Sequence, residues 1–238
     1  MDQLLVALDV DTAADARALA SRLRGVVGGF KVGSRLFTSH GPSIVEELAS
    51  YGERVFLDLK FHDIPSTVAG AVAAATRLGV WMVNVHASGG AAMMQAAREA
   101  ADREAARTAR PVPLVIAVTM LTSLDDGMLG EIGFGRPVAE QVERLASLAQ
   151  SAGLDGVVAS PQEISLIRRR CGDRFVIVTP GIRGAGDKHG DQSRAMTAAR
   201  ALTEGATYLV VGRPIIAAPD PRAAAERIAA ECRAPHAL

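Results

Sequence analysis

The chain has 238 residues, of which 49% are hydrophobic, 22% charged and only 4% aromatic. That apolar share excludes a disordered chain, and the length suits one barrel-sized domain, here expected to span 1–238, better than a pair of small ones. The 26 Lys and Arg residues balance 26 Asp and Glu residues for a formal net charge of zero. This argues against a broad nucleic-acid surface, which needs an excess of cations, and leaves room for a compact anion site.

Short apolar runs alternate with Ala-rich helical stretches from end to end. Leu4–Val10 precedes a helix at Ala13–Leu23, and Phe30–Gly33 precedes one at Ser43–Ser50. Val55–Lys60 leads to Ser66–Leu78, and Met82–His86 to Ala91–Arg107. Leu114–Leu121 then leads to Val138–Ala152, and Gly156–Ser160 to Pro161–Arg170. The last two pairs are Phe175–Thr179 with Ser193–Glu204, and Leu209–Gly212 with Arg222–Cys232. Several runs are almost wholly apolar, as parallel strands covered on both faces require. Gly79, Gly153, Gly172 and Gly205 stand where helices should end. Eight such alternations predict an α/β fold, a single-domain (β/α)8 TIM barrel. A doubly wound open sheet has the same rhythm, and periodicity does not separate the two. Thr122–Pro137 and Pro180–Gln192 are the longest irregular stretches, a length that usually marks function.

Two cysteines, Cys171 and Cys232, form no CxxC and no metal-ligand spacing, so free thiols in a reducing cytoplasm are expected. Met1-Asp2-Gln3 lacks the basic start of a signal peptide, and no apolar run reaches the length of a membrane span. His40, His189 and His236 make no metal set with His62 and His86. Met93-Met94 and the Ala-rich stripe around them read as helix packing.

Charge sits where a barrel strand should be apolar. Asp9 ends the first strand, Lys31 lies in the second, Asp58 and Lys60 end the third, and Asp63 follows in the loop. Strand side chains alternate, which puts Asp58 and Lys60 on one face. If that face points inward, both emerge at the carboxyl end, where barrel active sites are built, with Lys31 able to reach the same point. An ion-pair plug is the plain alternative. Burying ions costs several kcal/mol each, however, and an apolar plug would be as stable, so chemistry is the better explanation. A second constellation follows the seventh strand, Thr179-Pro180-Gly181-Ile182-Arg183, then Gly184–Gly190 and Asp191-Gln192-Ser193-Arg194. A third, Gly212-Arg213-Pro214-Ile215, follows the eighth. Loops at these two strands often hold phosphate, through backbone N–H groups and a bidentate guanidinium. His86 reads as a core residue with no catalytic role, and His62 as support facing away from Lys60.

The run Asp58-Leu59-Lys60-Phe61-His62-Asp63-Ile64-Pro65-Ser66-Thr67 resembles the signature of the orotidine 5′-phosphate decarboxylase family. Ala7-Leu8-Asp9, Lys31-Val32-Gly33, Val83-Asn84-Val85-His86-Ala87, Val118–Ser123, Thr179–Arg183, Gly190-Asp191-Gln192 and Val211–Ile215 match further pieces in the family's order. The resemblance implies decarboxylation of orotidine 5′-phosphate to uridine 5′-phosphate and CO2, the last step of pyrimidine nucleotide synthesis, on a dimeric barrel with no metal or organic cofactor. It implies that Lys60 gives a proton to C6 of the base, that Asp58 lies beside the substrate carboxylate, and that Lys31 completes an alternating array. Asp63, with Ile64 and Thr67, would reach into the partner's site. Asp9 and Lys31 would hold ribose hydroxyls, and Thr122 the base. Gln192, Arg213 and the Gly212 amide would grip the phosphate, and Arg183 would begin a closing loop. The stretch Gly184–His189 departs from the family pattern by an extra acid and two basic side chains. The competing readings are a metal-dependent sugar-phosphate decarboxylase or aldolase with a similar Asp-x-Lys-x-x-Asp, a Schiff-base aldolase using Lys60 or Lys31, and a nucleotide-binding module without catalysis.

Overall fold

A computed structural model describes residues 2–182 and 196–233. Eight parallel strands are found among them: β1 (Leu4–Ala7), β2 (Gly29–Gly33), β3 (Val55–Phe61), β4 (Met82–His86), β5 (Leu114–Val118), β6 (Gly156–Val158), β7 (Val176–Thr179) and β8 (Tyr208–Val211). They pair in sequence order, and β1 pairs with β8, which closes the barrel and disposes of the open-sheet alternative. Every strand falls within three residues of its expected bounds. β1 and β5 stop earlier than their apolar runs, so Asp9 stands two residues beyond β1 rather than at its end. Leu8 N–H still donates to Lys31 O at 3.0 Å and holds that segment in register.

The alternation of side chains sorts the core into two shells. Leu4, Val6, Phe30, Val32, Val55, Leu57, Val83, Val85, Ile177 and Leu209 belong to the large cluster between barrel and helices. Leu5, Ala7, Phe56, Met82, Ile116, Val178 and Val210 form a second, smaller cluster inside the barrel. At the amino-terminal end, Trp81 and Tyr208 meet edge to face, ring centres 5.0 Å apart, and the Arg54 guanidinium lies 5.3 Å from the Trp81 ring centre. That end is closed by aromatic packing, and the carboxyl end is left for polar residues.

The expected helix stops hold: Gly79, Gly153, Gly172 and Gly205 all have positive φ, between 80° and 110°. Among the described residues, three short α-helices fall outside the expected set. Ser34–His40 follows β2 directly, Asp126–Glu131 occupies part of the stretch expected to be irregular, and Arg213–Ile216 follows β8. Each has seven residues or fewer, too short for helical periodicity to register. Asp126–Glu131 is nevertheless capped, since the Asp125 side chain accepts from Met128 N–H at 2.9 Å. The expected helix Ser193–Glu204 starts later, at Ala198: Met196 bridges to Ile182, and Thr197 is the extended cap of Ala198–Thr203, its hydroxyl accepting from Arg200 N–H at 3.4 Å.

Glycine is needed in β6 because the barrel wall leaves no room for a side chain there. A Cβ at Gly156 would stand 2.1 Å from Val176 O on the paired strand, a backbone atom that cannot swing aside. Gly156→Ala is expected to destabilise the fold by about 3 kcal/mol, since the strands must part to admit the methyl. Urea unfolding would read this as a lower midpoint, and an unchanged midpoint would contradict the packing described.

Candidate active site

Charged residues from three neighbouring strands converge at the carboxyl end of the barrel. Lys31 Nζ stands 3.2 Å from Asp9 Oδ1 and 3.2 Å from Asp58 Oδ2, while Lys60 Nζ stands 2.7 Å from Asp58 Oδ1. The order Asp9–Lys31–Asp58–Lys60 therefore alternates in sign. Lys31 and Asp58 are 9% and 8% exposed, so the middle of the array lies in the barrel and its ends face the opening. The register pairs Lys31 with Phe56 and Gly33 with Asp58, so Asp58 stands two residues nearer the carboxyl end than Lys31, whose long side chain reaches up to it.

Simple alternation puts Asp58 and Lys60 on one face, and their contact agrees. The strand is not regular between them, however. Pairing of β3 with β4 shifts register between Leu57 and Phe61, and Lys60 takes φ 54°, the left-handed region that non-glycine residues rarely enter. Its backbone N–H donates to Asn84 Oδ1 at 2.8 Å, and Asn84 Nδ2 donates to Asp58 Oδ1 at 2.7 Å. Asn84 is fully buried in β4. Sequence reasoning passed over this residue. Its signal was an amide in an otherwise apolar strand, at a position that alternation turns toward the barrel interior.

Burial is the largest influence on Asp58 and by itself would raise its pKa. Lys31 and Lys60, with hydrogen bonds from Lys60 and Asn84, outweigh it, so the carboxyl lies below its ordinary 3.8. Burial likewise pulls Lys31 down, and Asp58 and Asp9 together reverse this, leaving the ammonium above 10.5. The array thus holds its inner charges against desolvation. His86 is shifted downward, chiefly by burial and then by the nearby charges of His62 and Lys60. Its ring centre is 5.4 Å from that of His62, so the two histidines pack on each other beside the array.

A cavity of about 290 Å³ opens over the array. Asp9, Lys31, Asp58, Lys60, Thr122, Gly212 and Arg213 all line it, with Pro180 and Gly181 after β7 and an apolar base of Ala7, Phe56, Val158 and Val210. Seven of the expected site residues are thus brought together. Asp63, Ile64 and Thr67 are not among those lining it: they are exposed in the turn and first helical residues after β3, and Asp63 Oδ1 accepts from Ile64 N–H at 2.6 Å. Among the described residues, the ion pair of Lys60 is with Asp58, and none forms to Asp63. Arg183, Gln192 and the stretch Gly184–His189 lie outside the described residues.

The fold and this array define a (β/α)8-barrel protein with a polar, charge-paired cavity at the carboxyl ends of its strands. The family model described as "Orotidine 5'-phosphate decarboxylase / HUMPS family" matches residues 2–228, and the chain belongs to that family. A relative named orotidine 5′-phosphate decarboxylase from Moorella thermoacetica is 60% identical over 231 residues, covering 97% of this chain and 92% of the relative. Another of that name, from Syntrophotalea carbinolica, is 54% identical over 232 residues, covering 98% and 95%. The crystal structure of orotidine 5′-phosphate decarboxylase from Lactobacillus acidophilus superposes with a TM-score of 0.87 at 38% identity, covering 98% of this chain and all of that one.

Gly33 has a role at the array that its strand position alone does not announce. A Cβ there would stand 3.0 Å from Lys31 Nζ and 3.4 Å from Asp9 Oδ1. The backbone itself would accept alanine (φ −95°). Gly33→Ala should therefore unfold near the wild-type midpoint yet lose about tenfold or more in turnover, because the ammonium must move. Wild-type turnover in a folded Gly33→Ala protein would rule out this role.

A carboxyl whose folded-state pKa is lowered stabilises the fold fully above its unfolded value and loses that contribution as pH falls. The stability difference between wild type and Asp58→Asn is expected to shrink as pH drops through 3.8 toward the lower folded-state value. Denaturant unfolding of both proteins across that range would check it, and a difference independent of pH would show that Asp58 is not held ionised by its neighbours.

Proposed function

We propose that the protein decarboxylates orotidine 5′-phosphate to uridine 5′-phosphate and CO2, the last step of pyrimidine nucleotide synthesis, with Lys60 as proton donor. The observation that carries this reading is the Lys60 ammonium, held 2.7 Å from Asp58 at the mouth of a cavity also lined by Arg213 and Gly212. The C6–carboxylate bond of the base breaks with its electron pair left on C6, and CO2 departs. The pair then takes a proton from Lys60 Nζ, forming the C6–H bond and leaving a neutral amine that water reprotonates. The carbanion has no conjugated sink, so stabilisation falls to a fixed positive charge already in place. Asp58, beside the departing carboxylate, repels it in the ground state. Arg213 and the Gly212 amide hold the phosphate, with Gln192 and Arg183 as its further partners. Binding energy gained at the phosphate, remote from the reacting carbon, is spent on ordering the array. Asp9 and Lys31 take the ribose hydroxyls, and Thr122 the base.

Two copies make the working unit in this reading, with Asp63, Ile64 and Thr67 of each entering the other's site. Support comes from the surface itself: Ile64, at 63%, is the most exposed large apolar side chain among the described residues, and Asp63 neither lines the cavity of its own chain nor pairs with Lys60 there. The free thiols Cys171 and Cys232 support a cytoplasmic setting, and no described helix is long and apolar enough to cross a membrane.

The metal-dependent alternative needs carboxylate oxygens available to a divalent cation. Both oxygens of Asp58 are engaged by Lys31, Lys60 and Asn84, and Asp9 pairs with Lys31. Among the described residues, no three His, Cys, Asp or Glu side chains are grouped to hold a metal. A Schiff-base aldolase needs a neutral amine in the resting enzyme, and for Lys31 the Asp58 and Asp9 carboxylates, which outweigh its burial and raise its pKa, work against that.

A spectrophotometric assay on orotidine 5′-phosphate, with chelator and no added metal, tests the reading directly. Turnover is expected in wild type. Lys60→Ala is expected to lose at least about 10⁴-fold in turnover while still binding uridine 5′-phosphate, since the proton donor and the charge opposite the carbanion go together. Near-normal turnover in Lys60→Ala would remove Lys60 from the mechanism, and an inactive wild type would overturn the activity.

A further inference from the structure

Asn84 joins Asp58 and Lys60 through its two amide ends without itself lining the cavity. Its orientation is fixed by chemistry. The Lys60 backbone N–H can only donate, so the amide oxygen must face it. That leaves the NH2 group, which can only donate, turned to the Asp58 carboxylate. No alternative flip satisfies both neighbours, and the residue is fully buried, so water does not substitute for either contact.

We propose that Asn84 is a positioning residue for decarboxylation, holding the Lys60 backbone in its left-handed turn and the Asp58 carboxylate beside it with one rigid amide. Two physical facts make this more than core filling. A lysine at φ 54° is costly and persists only where the surroundings over-determine it. The hydrogen bond to Asn84 Oδ1 captures the one backbone donor of that residue, just where the pairing of β3 with β4 slips register. On the other side, the amide donates to Asp58 Oδ1, the same oxygen that Lys60 Nζ engages. Carboxylate and ammonium therefore share a single anchor on the neighbouring strand, and their spacing follows β4 rather than the mobility of a long lysine side chain. The donor also favours the ionised form of Asp58. Asn84 touches no substrate in this scheme and acts only through its two neighbours.

The inference rests on the decarboxylase reading for its kinetic consequence and on geometry alone for its electrostatic one, so two variants and two readouts separate them. Asn84→Leu removes both contacts while keeping the branching and the number of side-chain heavy atoms. Asn84→Asp keeps an acceptor for Lys60 N–H but sets a second carboxyl against Asp58. Each is expected to lower kcat by about 100-fold, the scale set by one buried hydrogen bond to a charged group, with affinity for uridine 5′-phosphate changed less than about threefold. In both, the titration midpoint of Asp58, followed by carboxyl ¹³C NMR, moves upward from its wild-type position, further in Asn84→Asp. A merely structural asparagine would lower melting temperature, kcat and product affinity in parallel and leave the Asp58 midpoint where it was; that pattern overturns the proposal, as does wild-type kcat in either folded variant. Should Asn84→Leu fail to fold, Asn84→Asp carries the same two readouts. If wild type proves inactive on orotidine 5′-phosphate, the decarboxylase reading fails, while the Asp58 midpoint still decides whether Asn84 anchors the carboxylate.

Discussion

A buried carboxylate surrounded by two ammonium groups and one amide is the interaction on which the rest of this protein depends. Removing an ion from water costs several kcal/mol even after relaxation, and attraction between opposite charges about 4 Å apart returns about 4 kcal/mol at an effective dielectric near 20. Asp58 is sustainable only because Lys31, Lys60 and Asn84 are all within 3.2 Å of it. Those partners come from β2, β3 and β4, so the balance holds only if three strands keep their relative register. Closure of the barrel is thus a positional device, since no strand in a closed ring can slide without dragging its neighbours.

The two ends of the ring divide the labour. At one, Trp81, Tyr208 and Arg54 pack into a closed floor that has no catalytic chemistry to perform. At the other, several positions around the mouth are given to charge, amide or glycine, namely Asp9, Lys31, Gly33, Asp58, Asn84 and Gly212, above the apolar base of Ala7, Phe56, Val158 and Val210. Stability is concentrated in the outer shell between strands and helices, which leaves the upper interior free to hold groups that a simple core would reject. Gly33 illustrates the exchange, since its lack of a side chain serves Lys31 and not the strand in which it lies.

Much of this was legible in the residues. The eight apolar runs located all eight strands, because parallel strands covered on both faces have no polar side to blur the pattern. Asp58 and Lys60 could be placed on one face by alternation, and charged residues at strand ends marked the rim of the cavity. What escaped has physical reasons. Helices such as Ser34–His40 and Asp126–Glu131 are too short for periodicity to register. Closure of the sheet depends on contacts between the first and last strands, which no local pattern encodes. The turn at Lys60 is imposed from outside by Asn84 on another strand, 24 residues on, so nothing in Asp58-Leu59-Lys60 itself discloses that alternation breaks there.

The aromatic floor has a practical consequence for anyone watching this molecule in solution. Its sole tryptophan sits at the opposite pole from the charged mouth, boxed in by a phenol and a guanidinium. Its emission should therefore report whether the ring is intact while staying nearly blind to what occupies the mouth, and a ligand's arrival will need an optical probe placed elsewhere.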